Sequence, residues 1–263
     1  MDVRCQSPLF PAQQVLFRSV NTDEYLKLAE VEDRMWYFHA LHANVARGLR
    51  RAIPVDREAR VLDAGCGTGG LILDLGKRFP HWRWSGIDFS SLACEMAQRR
   101  TGADIREASI TKLPFADAVF DGIATTDVIC QVDNPADAFA ELFRTLRPGG
   151  VAVINLPAYM WMWSYHDDAV QSKHRYTRAE LKALLVAAGF EDVRLTHWNS
   201  LLFPLVFARR KIFPGTTKTS DVKLSPAIVE IFFRAVTSLE RAWLAIGGRW
   251  AWGLSVFATA RKP

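Results

Sequence analysis

Short apolar runs alternate with helix-like stretches through the middle of this chain, and this alternation constrains the fold more than any other feature. The runs are Arg60–Ala64, Arg83–Asp88, Asp104–Ala108, Phe120–Thr125 and Val151–Leu156. The helix-like stretches are Gly69–Arg78, Ser90–Arg100 and Ala136–Leu146. Strands that alternate with helices normally pair in parallel, with helices on both faces. The sequence therefore predicts an α/β fold with a doubly wound, mainly parallel sheet.

Both ends of this pattern are less regular. Apolar residues recur every three or four positions in Thr22–Ala52, which predicts one helix. Pro157–Tyr176 is a loop rich in aromatic residues and histidines, and a helix capped by Thr177 follows it. We predict two more strands, Val193–Trp198 and Leu254–Ala260, separated by a helical segment.

Composition narrows the class of protein. The 263 residues are 49% hydrophobic, and charged residues interrupt the richest apolar stretches, so we expect a soluble, cytoplasmic protein without a secretory signal. The four cysteines form no CxxC pair, so we expect reduced thiols and no metal site. The net charge of +5 is dispersed and lacks an aromatic–basic motif, which argues against a nucleic-acid partner.

A glycine-rich turn follows the first predicted strand. Asp63 ends that strand, and Gly65-Cys66-Gly67-Thr68-Gly69-Gly70 leads into a helix whose N-terminus presents free N–H groups. The same letters fit the dinucleotide pattern GxGxxG, which alone is weak evidence. A carboxylate two residues before the first glycine would repel a pyrophosphate, whereas it suits the ammonium group of an amino acid. Asp88 ends the second strand, where a carboxylate accepts hydrogen bonds from ribose hydroxyls.

Five motifs, in order, resemble those of the class I S-adenosylmethionine-dependent methyltransferases, in the broad bacterial small-molecule group called type 11-like. They are Val61–Gly69, Gly86–Ser90, Leu113–Phe115, Phe120-Asp121 and Leu146–Gly150. The resemblance spans about residues 57–198 and the final strand. It implies a Rossmann-like sheet of seven strands with an antiparallel last strand, S-adenosylmethionine as cofactor and S-adenosylhomocysteine as product. The cofactor contacts implied are Asp63, Gly65, Cys66, Gly67, Gly69, Asp88, Phe89, Ser109, Ile110, Thr126 and Asp127.

The sequence departs from the family pattern at two places. Ser109 stands where relatives usually carry an aspartate near the adenine, and a hydroxyl accepts a hydrogen bond more weakly than a carboxylate. Relatives also often have a Glu-His pair where this chain has Cys130-Gln131. The resemblance therefore does not supply an acid–base pair.

The resemblance divides the chain into a helical lid at 1–56, a core at 57–198 with a cap loop at 157–176, a helical insertion at 199–250 and a final strand at 251–263. In open α/β sheets the reaction centre lies beyond the carboxyl ends of the strands, which points to the cap loop. Candidate catalytic residues are His166, beside Asp167, together with His174 and Tyr176. The alternative for each histidine is a structural role, in which its ring ties the loop to the backbone. Candidate substrate-pocket residues are Trp36, Tyr37, His39, Gln131, Tyr159, Trp161 and Trp163.

One side of the insertion is apolar over residues 225–246. This side is formed by Ile228, Ile231, Phe232, Ala235, Leu239, Ala242, Trp243 and Ile246. Most such faces belong to a core or a subunit interface, and membrane-surface docking is the alternative. We accordingly expect a small-molecule partner, with a homodimer or a peripheral membrane contact through this helix.

These observations predict a methyltransferase that acts on a small-molecule acceptor, at oxygen or nitrogen, of aromatic, natural-product or lipid-linked character. A non-catalytic cofactor-binding or partner subunit on the same fold is the main alternative. A nicotinamide-dependent oxidoreductase is a minor one, which Asp63 and the last strand disfavour.

Overall fold

A seven-stranded sheet forms the centre of the computed structural model, which describes residues 22–213 and 220–263. The strands are β1 (Ala59–Ala64), β2 (Trp82–Asp88), β3 (Asp104–Glu107), β4 (Phe120–Thr126), β5 (Leu146–Pro157), β6 (Glu191–Trp198) and β7 (Ser255–Arg261). Their order is β3-β2-β1-β4-β5-β7-β6. The first five strands run parallel, and β7 is antiparallel to both β5 and β6. The predicted fold class is confirmed.

Helices cover both faces of the sheet. They are α1 (Thr22–Val31), α2 (Trp36–Leu49), α3 (Gly70–Arg78), α4 (Ser91–Thr101), α5 (Pro135–Thr145), α6 (Tyr165–Ala169), α7 (Arg178–Ala187), α8 (Phe203–Phe207) and α9 (Ala227–Ala245). Successive strand residues point to opposite faces, so Val61 packs in one core with α2 and α3, and Leu62 packs in the other with α5 and α7. β1 lies near the centre, and its carboxyl end is therefore enclosed by both layers.

The predicted single helix Thr22–Ala52 is wrong, because the chain breaks between α1 and α2. Met35 leaves helical geometry with φ −73° and ψ 133°. The Glu32 carboxylate accepts hydrogen bonds from Thr68 of the glycine turn and from Arg100 of α4. These tertiary contacts turn α1 over the glycine turn, whereas the apolar periodicity continues through the break.

The cap segment 157–176 is more ordered than a loop. It contains a 3₁₀ turn, Met160–Met162, and the short helix α6. A buried ion pair fastens it, since Arg175 Nε lies 2.7 Å from Asp167 Oδ1 and Arg175 also donates to the Ala158 carbonyl. Because both charges are hydrogen-bonded, the pair fixes the cap against the end of β5.

The insertion consists of α8, a π-helical turn at Ala208–Ile212, and α9 packed on α2. The core interpretation of the apolar side of α9 is wrong, because that side is exposed: Ile228 is 78% exposed and Ile246 is 80% exposed. Among the residues that the structure describes, no helix is both long enough and apolar enough to cross a bilayer.

Candidate functional site

The glycine turn after β1 requires glycine for conformational and steric reasons. Gly65 has φ +96°, and a Cβ built there would lie 2.1 Å from the Val128 side chain. Gly67 has φ +50°. Side chains rarely adopt these dihedral angles, so the turn lets a ligand approach the backbone directly.

Asp88 organises the turn from the end of β2. Its Oδ2 accepts the Gly67 N–H at 2.9 Å, and its Oδ1 accepts the Ser90 N–H at 3.0 Å. Tyr25 of α1 donates its hydroxyl to the same Oδ1 at 3.1 Å. Burial raises the pKa of Asp88, although these hydrogen bonds oppose the shift. A hydroxyl therefore already occupies the position in which the sequence predicts a ribose hydroxyl.

Asp63 is a buried acid for which the described residues provide no ion-pair partner. Its side chain is 2% exposed, and within the described part of the chain Oδ1 has no hydrogen-bond partner. Burial, with the charges of Asp88 and Glu32, raises the pKa of Asp63 to about 8. A buried acid without a partner is costly for the fold, and a cationic ligand would relieve that cost. The ammonium of S-adenosylmethionine fits this requirement.

Sequence reasoning predicts a helical lid here, but not the individual contacts by which α1 and the following turn reach the site. Tyr25 contacts Asp88, Leu28 lies against Gly67, and Glu32 contacts Thr68. Arg100 also donates to the Thr68 carbonyl at 2.9 Å. Residues 25, 28 and 32 share one helix face, so a tyrosine and a glutamate on an otherwise apolar face were the available signal.

A cavity of about 500 Å³ opens at the carboxyl edge of the sheet, between α1, α2, the cap and the insertion. It brings together many of the predicted site residues. These are Asp63, Gly65, Cys66, Gly67, Thr126, Asp127, Trp36, Tyr37, Gln131 and His166. This volume lies within the range of small-molecule binding sites.

A hydrogen-bonded network forms one wall of this cavity. Tyr37 donates to Asp127 Oδ2 at 2.8 Å, and Asn155 donates to Asp127 Oδ1 at 2.9 Å. Trp198 donates to Asn155 Oδ1 and stacks on Tyr37. Asp127 has φ +59°, and burial raises the pKa of its carboxyl to about 6. A strained, partly buried residue whose two carboxylate oxygens are both hydrogen-bonded is typical of a functional site.

The predicted adenine contacts lie outside the cavity lining. Phe89 directly follows Asp88 and is partly exposed, Ile110 is buried in the core, and Ser109 is exposed. The Ser109 hydroxyl contacts Thr111 Oγ1 and accepts the Thr111 N–H. Gly69, at φ +87°, caps the start of α3 and lies against Ala97.

The aromatic residues of the cap also lie outside the cavity lining. Tyr159 contacts His197 Nε2 at 3.1 Å, and Trp161 packs against Phe203 and Phe207 of α8. Trp163 donates its indole N–H to Asp168. Tyr159 and Trp161 thus connect the cap to β6 and the insertion, whereas the indole of Trp163 makes a contact within the cap.

Three of the predicted histidine and tyrosine positions are likewise outside the cavity lining. Tyr176 is buried and donates to the Ile129 carbonyl at 3.4 Å. His174 packs on Tyr176 and lies 3.6 Å from Glu180. His39, on α2, has a lowered pKa because of burial and the nearby Arg234.

His166 lines the cavity, but its contacts argue against a base. Nδ1 accepts the backbone N–H of Asp221 at 3.1 Å. Burial and Arg210 lower the pKa of the imidazole to about 4. The neutral ring that results carries its proton on Nε2, so this nitrogen is a donor. The structure therefore favours His166 as the link between the cap and the insertion.

The comparisons with known proteins identify the domain. Residues 62–154 match the methyltransferase domain family. A malonyl-(acyl-carrier protein) O-methyltransferase of Enterobacter lignolyticus is 33% identical over 157 residues, which cover 55% of this chain and 60% of the relative. The chain spans about half the length of several other curated relatives.

Solved structures show the same fold. A methyltransferase of Thermotoga maritima has a TM-score of 0.56 at 18% identity, covering 92% of this chain and 95% of that one. A phosphoethanolamine N-methyltransferase of Haemonchus contortus, in complex with S-adenosylmethionine, has a TM-score of 0.57 at 17% identity, covering 84% and 52%. The antiparallel β7 and the glycine turn agree with this fold. The family match over residues 62–154 and the shared fold thus support a class I S-adenosylmethionine-dependent methyltransferase.

Proposed function

We propose that the chain transfers a methyl group from S-adenosylmethionine to an oxygen or nitrogen atom of a small molecule bound in the cavity. The observation that carries this proposal is the buried Asp63 carboxylate, with its unpartnered Oδ1, beside a glycine turn that has no room for a side chain. When bound, the cofactor supplies a methyl group attached to a positively charged sulfur, and a nucleophilic atom of the acceptor takes this methyl group.

The residues at the carboxyl edge have distinct tasks in this proposal. Asp63 balances the ammonium of the cofactor, and Asp88 accepts the ribose hydroxyls after the Tyr25 hydroxyl leaves Oδ1. Because Tyr25 lies on α1, cofactor entry then requires the Tyr25 side chain or α1 itself to move, which is the behaviour of a lid. Alignment of acceptor and methyl group and exclusion of water supply most of the rate enhancement.

The cavity walls favour an acceptor with an apolar body and an acidic group. Trp36, Phe38 and Phe233 contribute apolar surface. Arg209 and Lys223, from the insertion, contribute positive charge. An aromatic, natural-product or lipid-linked acid has this combination of properties.

The test begins with calorimetric titration of the chain by S-adenosylmethionine and, separately, by oxidised nicotinamide dinucleotide. We expect binding of the first and not of the second. S-adenosylhomocysteine formation is then measured with an extract of small molecules and a donor carrying a deuterated methyl group, which labels the acceptor. Cofactor binding without any turnover would support a non-catalytic subunit, and binding of the nicotinamide dinucleotide would support an oxidoreductase.

Arg209→Ala examines the acceptor side. We expect it to raise the KM for the acceptor and to leave cofactor affinity unchanged. Arg99→Ala is a matched control, because Arg99 is an exposed arginine on α4 that pairs with Glu95. A lower cofactor affinity in Arg209→Ala would show that the basic wall belongs to the cofactor site.

A further inference from the structure

Helix α9 is oriented with its apolar side toward solvent. Ile228, Ile231, Leu239 and Ile246 recur at helical spacing and are 78%, 67%, 68% and 80% exposed. Phe232 and Trp243 lie on the same side. Soluble monomers rarely expose so many large apolar side chains together, so this side is a candidate interaction surface.

Two buried glutamates hold α9 in this orientation. Glu230 accepts the backbone N–H of Trp36 at 2.8 Å and that of Ser225 at 3.0 Å. Glu240 accepts the backbone N–H of Ser200 at 2.9 Å. If α9 rotated to bury its apolar side, these carboxylates and backbone donors would lose their hydrogen-bond partners. The exposure is therefore built into the fold.

The segment that follows Ser200 adds further exposed apolar residues. Leu205 of α8 is exposed, as are Ile212 and Phe213 after it. The Ser200–Glu240 hydrogen bond anchors this segment to α9. Leu205 also lines the cavity.

The charge of the insertion complements an anionic surface. Residues 199–250 contain eight basic and three acidic residues, a net charge of +5 that equals that of the whole chain. Two of the acids, Glu230 and Glu240, are buried. The third, Asp221, pairs with Arg210 at 2.7 Å. The charge that remains available on the insertion is therefore positive.

We propose that the exposed side of α9, with the α8 segment, binds the surface of a membrane that contains anionic lipids. The apolar side chains enter the headgroup boundary, and exposed basic residues such as Arg249 contact phosphates. A symmetric contact between two copies is disfavoured, because it would bring two insertions of charge +5 together. The proposal concerns a surface, and it holds whatever acceptor the cavity takes.

The experiment is flotation of the full chain with vesicles of phosphatidylcholine alone or mixed with phosphatidylglycerol. We expect binding to the mixed vesicles and weakening at high salt. The double variant Ile231→Glu/Leu239→Glu should bind at least tenfold more weakly. Val186→Glu is the matched control, because Val186 is 55% exposed on α7, outside this surface.

Circular dichroism establishes that each variant folds, and titration with S-adenosylmethionine reports the cofactor site separately. Unchanged cofactor affinity in the double variant, together with lost vesicle binding, supports the proposal. No binding of the wild-type chain to the mixed vesicles overturns it. An equal loss of vesicle binding in Val186→Glu also overturns it. So does a wild-type chain that forms a dimer and does not bind vesicles, if the double variant is a monomer.

Discussion

Acidic residues at the carboxyl edge of the sheet and in the helical insertion differ in whether their oxygens have partners within the protein. At the edge, Asp63 is buried, its Oδ1 has no hydrogen-bond partner among the described residues, and its pKa is raised to about 8. In the insertion, Glu230 and Glu240 accept backbone N–H groups, and Asp221 pairs with Arg210. The edge keeps a carboxylate available for a ligand, whereas the insertion uses its carboxylates to hold the structure together.

Ligand affinity and folding stability should therefore depend on different acidic residues. A change at the edge should alter ligand affinity more than folding, and a change at the buried glutamates should do the reverse. This difference also agrees with the proposal that one cavity takes a cationic cofactor at its acidic wall and an acidic acceptor at its basic wall.

The largest expected effect is at the edge. Asp88→Ala should weaken S-adenosylmethionine binding more than tenfold, because two ribose hydrogen bonds to a charged acceptor are lost at roughly 1.5–3 kcal/mol each. Calorimetric titration measures the change. Asp56→Ala is the control, because Asp56 is exposed in the loop before β1. Wild-type affinity in Asp88→Ala would remove Asp88 from the cofactor site.

The buried glutamates should affect folding. Glu240→Ala should lower the free energy of unfolding by about 1–3 kcal/mol, because it leaves the Ser200 N–H without its acceptor. Glu240→Gln keeps an acceptor oxygen and should lose less. Urea denaturation measures both. If the alanine variant matched the wild type in stability, the Glu240 contact would not determine how α9 is oriented.

Asp63 allows the comparison to be tested with pH. Its pKa in the folded protein lies above the ordinary value of 3.8, so the folded state binds the proton more tightly than the unfolded state does. The contribution of Asp63 to stability is therefore fully present at low pH and is lost as pH rises through about 8. Asp63→Asn should flatten this decline. Urea denaturation at a series of pH values measures the decline in both proteins. Identical stability profiles for the wild type and Asp63→Asn would show that Asp63 is not the group that titrates.

Cofactor binding should lower the pKa of Asp63 again, because a bound ammonium favours the ionised carboxylate. At pH 7 the free protein holds a proton on Asp63, and binding should release about one proton. Calorimetry in two buffers of different ionisation enthalpy measures this number. Asp63→Asn should release none, and equal release from both proteins would place the proton elsewhere.

The sheet, its order and the glycine turn could be predicted because their signals are local. Period-two and period-3.6 patterns define strands and helices, and Gly65 marks a turn that other residues cannot adopt. Asp63 and Asp88 follow from their positions at strand ends. The break after Val31 could not be predicted in this way, since it depends on Thr68 and Arg100, which are distant in sequence.

The orientation of α9 shows the other limit. Its apolar periodicity is clear in the sequence, but periodicity does not determine which side faces the protein. That choice depends on Glu230 and Glu240, whose donors lie at Trp36, Ser225 and Ser200. The contact between His166 and Asp221 depends in the same way on how the insertion packs against the cap.

The smallest expected effect is at His166, where cap and insertion meet. Asparagine places its side-chain oxygen near the position of Nδ1, so His166→Asn can still accept the Asp221 N–H without an imidazole. We therefore expect methyl transfer within about threefold of the wild type and an unchanged pH–rate profile. His166→Ala loses the acceptor and should loosen the cap, raising the KM for the acceptor. If His166→Asn instead lowered the rate by about 10²-fold or more at constant cofactor affinity, the imidazole would be the proton acceptor despite its contacts.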